Sequence, residues 1–164
     1  MTATTNFTIR LAVDSDAQGI ANLSRCLIEV GLRGWSWDPQ RVARAIHHRD
    51  MCVVVAETAQ QFAGFAIGEF GDTRLHLSLL AVDASRQRSG IGRALMQWLE
   101  DSALIAGITE VQLELRANNS SAHYFYQALG FALERAVPRY YRGEESALKM
   151  CKILGNEIAQ TVRK

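Results

Sequence analysis

Proline and cysteine are scarce in this chain, and an excess of either charge is missing. Only 2 of the 164 residues are proline and 3 are cysteine. We expect Pro39 and Pro138 in turns, with no proline-rich linker between domains. The cysteines are odd in number and too far apart for a zinc or redox pair, which is typical of a reducing compartment. We therefore expect one domain without disulfides or structural metal, and the length is sufficient for such a core.

Long hydrophobic runs are also missing. The longest, Met51–Ala56, has 6 residues, far fewer than a membrane-spanning helix requires. Residues 1–6 carry neither the basic nor the apolar region of a secretion signal, so we expect a cytoplasmic protein with no membrane partner. The 18 Lys and Arg residues balance 17 Asp and Glu residues, for a net charge of +1. This balance argues against a nucleic-acid-binding protein and against an acidic disordered chain.

The spacing of apolar residues predicts a mixed α/β fold. The predicted strands are 7–13, 51–56, 62–70, 73–82, 108–115, 131–136 and 146–153. The predicted helices begin at Asp14 as N-cap, near Val42, at Gly90 and at Asn119 or Ser120. One apolar stripe is expected on the third helix: Ile91, Leu95, Trp98, Leu99 and Ile105. This order predicts a mixed central sheet of about seven strands flanked by four helices, in a single domain over residues 1–154 with a frayed tail at 155–164.

The segment between the strand ending at Val82 and the helix beginning near Gly90 has the composition of an anion site. The free N–H groups and the dipole of a helix N-terminus attract negative charge, and glycine lets the backbone approach an anion closely. Three arginines add positive charge there: Arg86, Arg88 and Arg93. A P-loop is excluded because no Lys-Ser or Lys-Thr follows the glycines, and Leu95 stands where the dinucleotide motif needs Gly or Ala. The segment predicts a pyrophosphate site, and the alternative is a basic surface with a glycine-rich helix start.

Several motifs in the correct order resemble those of the GNAT superfamily of N-acetyltransferases. Gln87–Gly92 fits its Gln/Arg-x-x-Gly-x-Gly/Ala signature. The similarity is specific from about residue 75 to residue 154, and the last stretches are most similar to the branch of bacterial ribosomal-protein alanine (N-terminal) acetyltransferases. The other matching stretches are 113–119, 122–131, 139–141 and 144–150. The resemblance implies one N-acetyltransferase domain, monomeric or homodimeric, that moves an acetyl group from acetyl-CoA to a primary amine by direct attack on the thioester.

The resemblance also implies roles for individual residues. The pyrophosphate of acetyl-CoA would bind the turn formed by Arg86, Gln87, Arg88, Ser89, Gly90, Ile91, Gly92 and Arg93. The pantetheine arm would pair with the strand end formed by Leu80, Ala81 and Val82. Asn119 would hydrogen-bond the cofactor, Tyr126 would lie beside the thioester sulfur, and Glu114 would be the general base. Tyr140 and Tyr141 would line the groove that binds the acceptor.

Several alternatives stay open. An α-amine with a pKa of about 7.7–8.0 is neutral in roughly 10–15% of molecules at pH 7, against less than about 0.1% for a lysine ε-amine, so it demands less of a base. Glu114 suffices as the general base if burial raises its pKa. Alternatively, Glu114 is a surface acid and His76 is the base, or His76 contacts the acceptor. Tyr126 equally fits a core position, and Trp35 lines either the acceptor groove or the core. No metal site is expected at the histidines.

The acceptor is the least specified part of this prediction. A protein N-terminal α-amine comes first. The alternatives are a small-molecule amine (a polyamine, an amino acid or an antibiotic) and a non-catalytic domain that only binds acyl-CoA.

Overall fold

The computed structural model describes residues 6–59 and 61–155. In this part of the chain there are seven strands and four α-helices, so the predicted mixed α/β fold is confirmed. The strands are β1 (Thr8–Leu11), β2 (Met51–Thr58), β3 (Gln61–Phe70), β4 (Arg74–Val82), β5 (Glu110–Arg116), β6 (Ala132–Tyr141) and β7 (Glu145–Ile153). The helices are α1 (Ala17–Leu27), α2 (Pro39–His47), α3 (Ile91–Ile105) and α4 (Ser120–Ala128). The strands are hydrogen-bonded in the order β1-β2-β3-β4-β5-β7-β6. The frayed tail predicted at 155–164 lies, from residue 156 on, outside the described residues.

The chain is divided into two compact units. The first comprises the described residues up to Glu69 together with Ser78–Leu99. In it, β2 pairs antiparallel with both β1 and β3. The prediction that β2 is buried on both faces is confirmed, since Val53–Ala56 are all buried. Apolar side chains of α1, α2 and these strands form one core, which includes Ile20, Val42, Val55, Phe65 and Ile67.

The second unit comprises Phe70–Leu77 and the described residues from Glu100 onward. Within it, the first half of β4 runs parallel to β5, and β7 pairs antiparallel with both β5 and β6. The register places His76 beside Gln112 and Glu114 opposite Lys149. Because side chains alternate across a strand, Gln112 and Glu114 share one face of β5. This face carries the polar side chains described below.

The expected helix cap and turn positions were partly wrong. Asp14 does not cap α1, because Asp14–Asp16 form a separate 3₁₀ turn before the helix. Pro39 is the first residue of α2, where the missing N–H of proline costs nothing. Pro138 lies inside β6, the last strand in the sheet order, at an irregularity in its pairing with β7. An edge strand tolerates proline because one of its sides has no ladder to support.

The buried face of α3 also differs from the expected stripe. Leu95, Leu99 and Met96 are buried, but Trp98 is 38% exposed and Ile105 is 89% exposed. The buried face is therefore rotated toward Met96, and Trp98 and Ile105 lie at its margin. The helix ends as predicted at Gly107, whose φ is +80°. No helix of the described residues is long and apolar enough to cross a membrane.

Candidate functional site

The turn between β4 and α3, residues 86–93, is here called the cradle, and it lies in the first unit. Arg88 and Gly90 both have left-handed backbone conformations, with φ of +62° and +87°. The first helical hydrogen bond of α3 runs from the Ala94 N–H to the Gly90 carbonyl at 3.0 Å. The N–H groups of residues 91–93 therefore precede the helical ladder and are available to an anion.

The charges and the open space of the cradle suit a pyrophosphate. A Cβ added to Gly90 would meet no atom within 4 Å, so the backbone is open on that side. Among the described residues, Arg86, Arg88 and Arg93 form no salt bridge. Left-handed residues beside a helix N-terminus turn several N–H groups toward one point. The predicted cradle residues thus lie together and fit a pyrophosphate group.

The end of β4, Leu80–Val82, lies against a glycine of β3. A Cβ at Gly64 would lie 2.8 Å from the carbonyl oxygen of Ala81 and 3.2 Å from the Cα of Val82. The first distance is shorter than real Cβ contacts and the second is tighter than most of them, so β3 needs glycine at this position for its close approach to β4. The requirement depends on a neighbouring strand, and sequence reasoning missed it.

The second unit brings His76 and Glu114 together. The Nε2 atom of His76 lies 2.5 Å from Oε2 of Glu114, and their side chains are 38% and 14% exposed. The hydrogen bond with His76 is the main reason that the pKa of Glu114 is lowered, and the charges of His76, Lys149 and Arg135 act in the same direction. Burial opposes this change but does not outweigh it. The condition that burial raises the pKa of Glu114 is therefore not met.

Glu114 belongs to a row of polar side chains on one face of β5, here called the polar ladder: Glu110, Gln112, Glu114 and Arg116. Every carboxylate of β5, β6 and β7 contacts a basic side chain. The pairs are Arg74–Glu110, His76–Glu114, Lys149–Glu134 and Arg116–Glu145. Each acid of these strands thus has a basic partner, and the face has no cluster of unpaired carboxylates.

Tyr126 is buried on α4, with 7% exposure. Its ring packs edge-on against Phe125 and Phe131, with centroids 5.0 and 5.6 Å away. Burial, and to a smaller extent Tyr141, raises the pKa of Tyr126 above its ordinary value of 10.0. The hydroxyl therefore stays protonated through the neutral and mildly alkaline range, and it is a hydrogen-bond donor there.

Tyr140 and Tyr141 lie at the end of β6, and their rings contact edge-on at 4.9 Å. Burial raises the pKa of each, and the charge of Glu114 adds to this effect. Asn119 caps α4, since its side-chain oxygen accepts the Ala122 N–H at 3.1 Å. The helix was predicted to begin at Asn119 or Ser120, and in the structure Asn119 is the N-cap and Ser120 the first helical residue. The cap engages the oxygen but not the amide nitrogen of the Asn119 side chain.

A buried carboxylate organises the segment between α1 and α2 in the first unit. Glu29 is 7% exposed. Its Oε1 accepts from the N–H and the hydroxyl of Ser36 at 2.8 and 2.6 Å, and its Oε2 accepts from the N–H of Trp37 at 3.3 Å and the hydroxyl of Ser24 at 3.2 Å. Trp37 lies in the core and Trp35 packs against it, with the Nε1 of Trp35 buried and without a hydrogen-bond partner.

Sequence reasoning missed Glu29 and Lys149. Glu29 has no motif around it, and Lys149 lies in the matching stretch 144–150, which gave it no role of its own. A weak signal existed for Glu29, because it stands next to apolar residues at the end of an amphipathic helix and before a glycine-rich turn. Within the described residues there is no group of three or more His, Cys, Asp or Glu side chains that could hold a metal ion.

Known N-acetyltransferases are similar to this chain in sequence. The chain is 37% identical over 93 residues to the ribosomal protein bS18-alanine N-acetyltransferase of Escherichia coli strain K12. This alignment covers 55% of this chain and 63% of that protein. It is 33% identical over 102 residues to an uncharacterised N-acetyltransferase of Methanocaldococcus jannaschii, MJ1530, with 62% and 65% covered. In both alignments the chain spans less than two thirds of the relative's length.

Solved structures similar to this fold include an N-acetyltransferase with the same kind of name. The crystal structure of the ribosomal-protein-S18-alanine N-acetyltransferase from Escherichia coli superposes with a TM-score of 0.76 at 26% identity, covering 91% of this chain and 94% of that one. The profile of the acetyltransferase (GNAT) family matches residues 20–131, more than half of the chain. The chain therefore belongs to the acetyltransferase (GNAT) family, whose members use acetyl-CoA.

Proposed function

We propose that this chain transfers the acetyl group of acetyl-CoA to the α-amine of a protein N-terminus. The observation that carries the choice of acceptor is that every carboxylate of the polar ladder and its neighbouring strands is paired with a basic side chain. A polyamine brings several positive charges, and a site for it needs carboxylates without cationic partners. Each carboxylate of β5, β6 and β7 already has a basic partner, which favours an acceptor with one reacting amine.

The lowered pKa of Glu114 supports the same choice. A weak base near the site removes a proton from an α-amine of pKa about 8 far more readily than from a lysine ε-amine of pKa about 10.4. The bS18-alanine N-acetyltransferase relative, at 37% identity, is named for an N-terminal acceptor. The Escherichia coli crystal structure that is similar to this fold is also named for a ribosomal-protein S18 alanine acceptor.

In this proposal the cradle binds the pyrophosphate of acetyl-CoA through its backbone N–H groups and three arginines. The backbone of Leu80–Val82 pairs with the pantetheine arm, and the amide nitrogen of Asn119 donates to the cofactor. Acetyl-CoA, when bound, supplies a thioester whose C–S bond breaks, with the electron pair leaving on sulfur, as the amine forms a C–N bond. The neutral hydroxyl of Tyr126 donates a hydrogen bond toward that sulfur.

The acceptor side of the proposal uses other residues. In the second unit, Tyr140 and Tyr141 line the acceptor groove, and the His76–Glu114 pair handles the proton of the acceptor ammonium. A cytoplasmic location and a single domain over residues 1–154 stay predictions.

An acceptor screen tests the proposed function. Thiol release from acetyl-CoA is measured with N-terminal peptides, polyamines, free amino acids and aminoglycosides at equal concentration. We expect the highest kcat/KM with an unblocked N-terminal peptide, and none with the same peptide carrying an acetylated N-terminus and a free lysine. A preference for spermidine or an aminoglycoside would contradict the choice of acceptor. Acetyl-CoA binding without thiol release for any amine would favour the non-catalytic alternative.

Gly90→Ala is expected to weaken CoA binding about tenfold, because an L-residue at φ +87° costs about 1–2 kcal/mol and the strain distorts the backbone that faces the phosphates. The measurement is isothermal titration with CoA. Gly107→Ala is the matched control: its φ is +80° and its Cβ would also meet nothing within 4 Å, but it lies at the other end of α3. Equal affinity of the two variants would contradict the cradle assignment.

A further inference from the structure

His76 is the more accessible member of the His76–Glu114 pair. Its side chain is 38% exposed, against 14% for Glu114. Only Nε2 of the ring is engaged, by Oε2 of Glu114 at 2.5 Å. Within the described residues no hydrogen bond reaches the other ring nitrogen, Nδ1. The pair therefore has an anchored carboxylate and a partly exposed imidazole with one nitrogen left for another group.

The surroundings of Glu114 hold it as an anion. Lys149 lies directly opposite on β7, and Arg135 is opposite Lys149 on β6. Together with the hydrogen bond from His76, these charges lower the pKa of the carboxyl. The remaining titratable groups near it are Tyr140 and Tyr141, whose pKa values are raised, so their hydroxyls stay neutral. An anion stabilised in this way is a poor proton acceptor near neutral pH.

The same anion determines the tautomer of His76. An ionised carboxylate has no hydrogen to donate, so the proton of the short hydrogen bond belongs to Nε2 of the ring. In a neutral imidazole the other nitrogen then carries a lone pair, which here is Nδ1.

We propose that Nδ1 of His76 takes the proton of the acceptor ammonium, and that Glu114 is a positioning residue that holds the imidazole. The inference rests on the proposed function. One N–H bond of the ammonium breaks, its electron pair stays on nitrogen as the attacking lone pair, and an Nδ1–H bond forms. After the C–N bond has formed, the nitrogen loses a second proton, which the departing thiolate takes up as the C–S bond breaks. The imidazolium is stabilised by Glu114 and later returns its proton to water. The assignment reverses the roles implied by the family resemblance.

A measurement without acetyl-CoA tests the geometry. Ring-nitrogen NMR shifts of His76 are followed against pH in the wild type and in Glu114→Gln. We expect the neutral ring to carry its proton on Nε2 in the wild type, and this preference to weaken in Glu114→Gln, because a glutamine amide both donates and accepts. A neutral ring protonated on Nδ1 in the wild type, or the same tautomer preference in Glu114→Gln, would overturn the proposal.

The kinetic test compares His76→Gln with Glu114→Gln. Glutamine at position 76 keeps a donor toward Glu114 but has no basic nitrogen. We expect His76→Gln to lower kcat/KM at pH 7.5 about 100-fold with little change in the KM for acetyl-CoA, and Glu114→Gln to lower it only about tenfold. The ratio of wild-type to His76→Gln kcat/KM cancels the titration of the acceptor itself, and it is expected to rise with pH because only the wild type has a basic nitrogen at position 76. A larger loss in Glu114→Gln than in His76→Gln would overturn the assignment.

Chemical rescue separates a missing base from a damaged fold. Imidazole in solution is expected to raise the activity of His76→Ala at least tenfold. The matched control is His48→Ala, an exposed histidine at the end of α2, which is expected to keep wild-type activity with and without imidazole. Absence of rescue in His76→Ala would count against His76 as base. Failure of the proposed function looks different, because the wild type would then prefer another amine or release no thiol with any amine, while the NMR result for the pair still stands.

Discussion

Replacing Tyr126 by phenylalanine is expected to lower kcat about 100-fold, the loss typical of one hydrogen-bond donor aimed at developing negative charge. Burial raises the pKa of Tyr126, so its hydroxyl is protonated at every pH at which the enzyme is assayed. The donor to the departing sulfur is thus present in the wild type and missing in the variant. The ring contacts with Phe125 and Phe131 are retained, so we expect an unchanged melting temperature and a KM for acetyl-CoA within about twofold.

The neighbouring tyrosine of the same helix is the control. Tyr124 is 70% exposed, and Tyr124→Phe is expected to leave kcat unchanged. Steady-state kinetics on both variants, with thermal melts, complete the comparison. Wild-type kcat in Tyr126→Phe would return this residue to a packing role. A lower melting temperature of Tyr126→Phe that accounts for its lower activity would also indicate a packing role.

Glu29→Ala is expected to destabilise the fold by about 3 kcal/mol, because it strands several buried donors that each cost about 1–3 kcal/mol when unpaired. These donors are the N–H and hydroxyl of Ser36, the N–H of Trp37 and the hydroxyl of Ser24. For a chain of this length the melting temperature should fall by about 6–12 °C. Since Trp37 belongs to the core next to this carboxylate, its fluorescence is expected to shift toward that of exposed tryptophan.

Two further variants define the cause. Glu69 is exposed at the end of β3, so Glu69→Ala removes an acid of the same kind and is expected to change the melting temperature by less than about 1 °C. Glu29→Gln keeps one accepting oxygen, and its loss is expected to fall between those of the other two variants. A melting temperature for Glu29→Ala within 1 °C of the wild type would show that these hydrogen bonds contribute nothing net.

The elements that follow local patterns were predictable from sequence. The apolar, β-branched run at Val53–Val55 is a strand buried on both faces because such residues suit the interior of a sheet. Gly107 ends α3 because a left-handed residue is needed where a helix stops. Positions that depend on neighbouring elements were misassigned. Trp98 and Ile105 continue the helical spacing, yet they are exposed because the buried face of α3 is rotated toward Met96.

The candidate site divides in the same way. The cradle is a run of consecutive residues, so its glycines and arginines meet by chain connectivity alone and its motif is visible in the sequence. The polar ladder is assembled from strands that are distant in the chain. His76 and Glu114 are 38 residues apart, and Lys149 reaches Glu114 only through the register of β5 and β7.

From its residues alone, this chain was identifiable as one mixed α/β protein with an anion-binding turn and a familiar set of acetyltransferase motifs, because helix spacing, strand alternation and short motifs are properties of neighbouring residues. The charge state of Glu114 followed only from the folded structure. Its pKa is lowered because a parallel strand brings His76 to it and an antiparallel strand brings Lys149, and no local pattern records either pairing. The need for glycine at position 64 has the same origin, since the atoms that a Cβ would strike belong to the next strand.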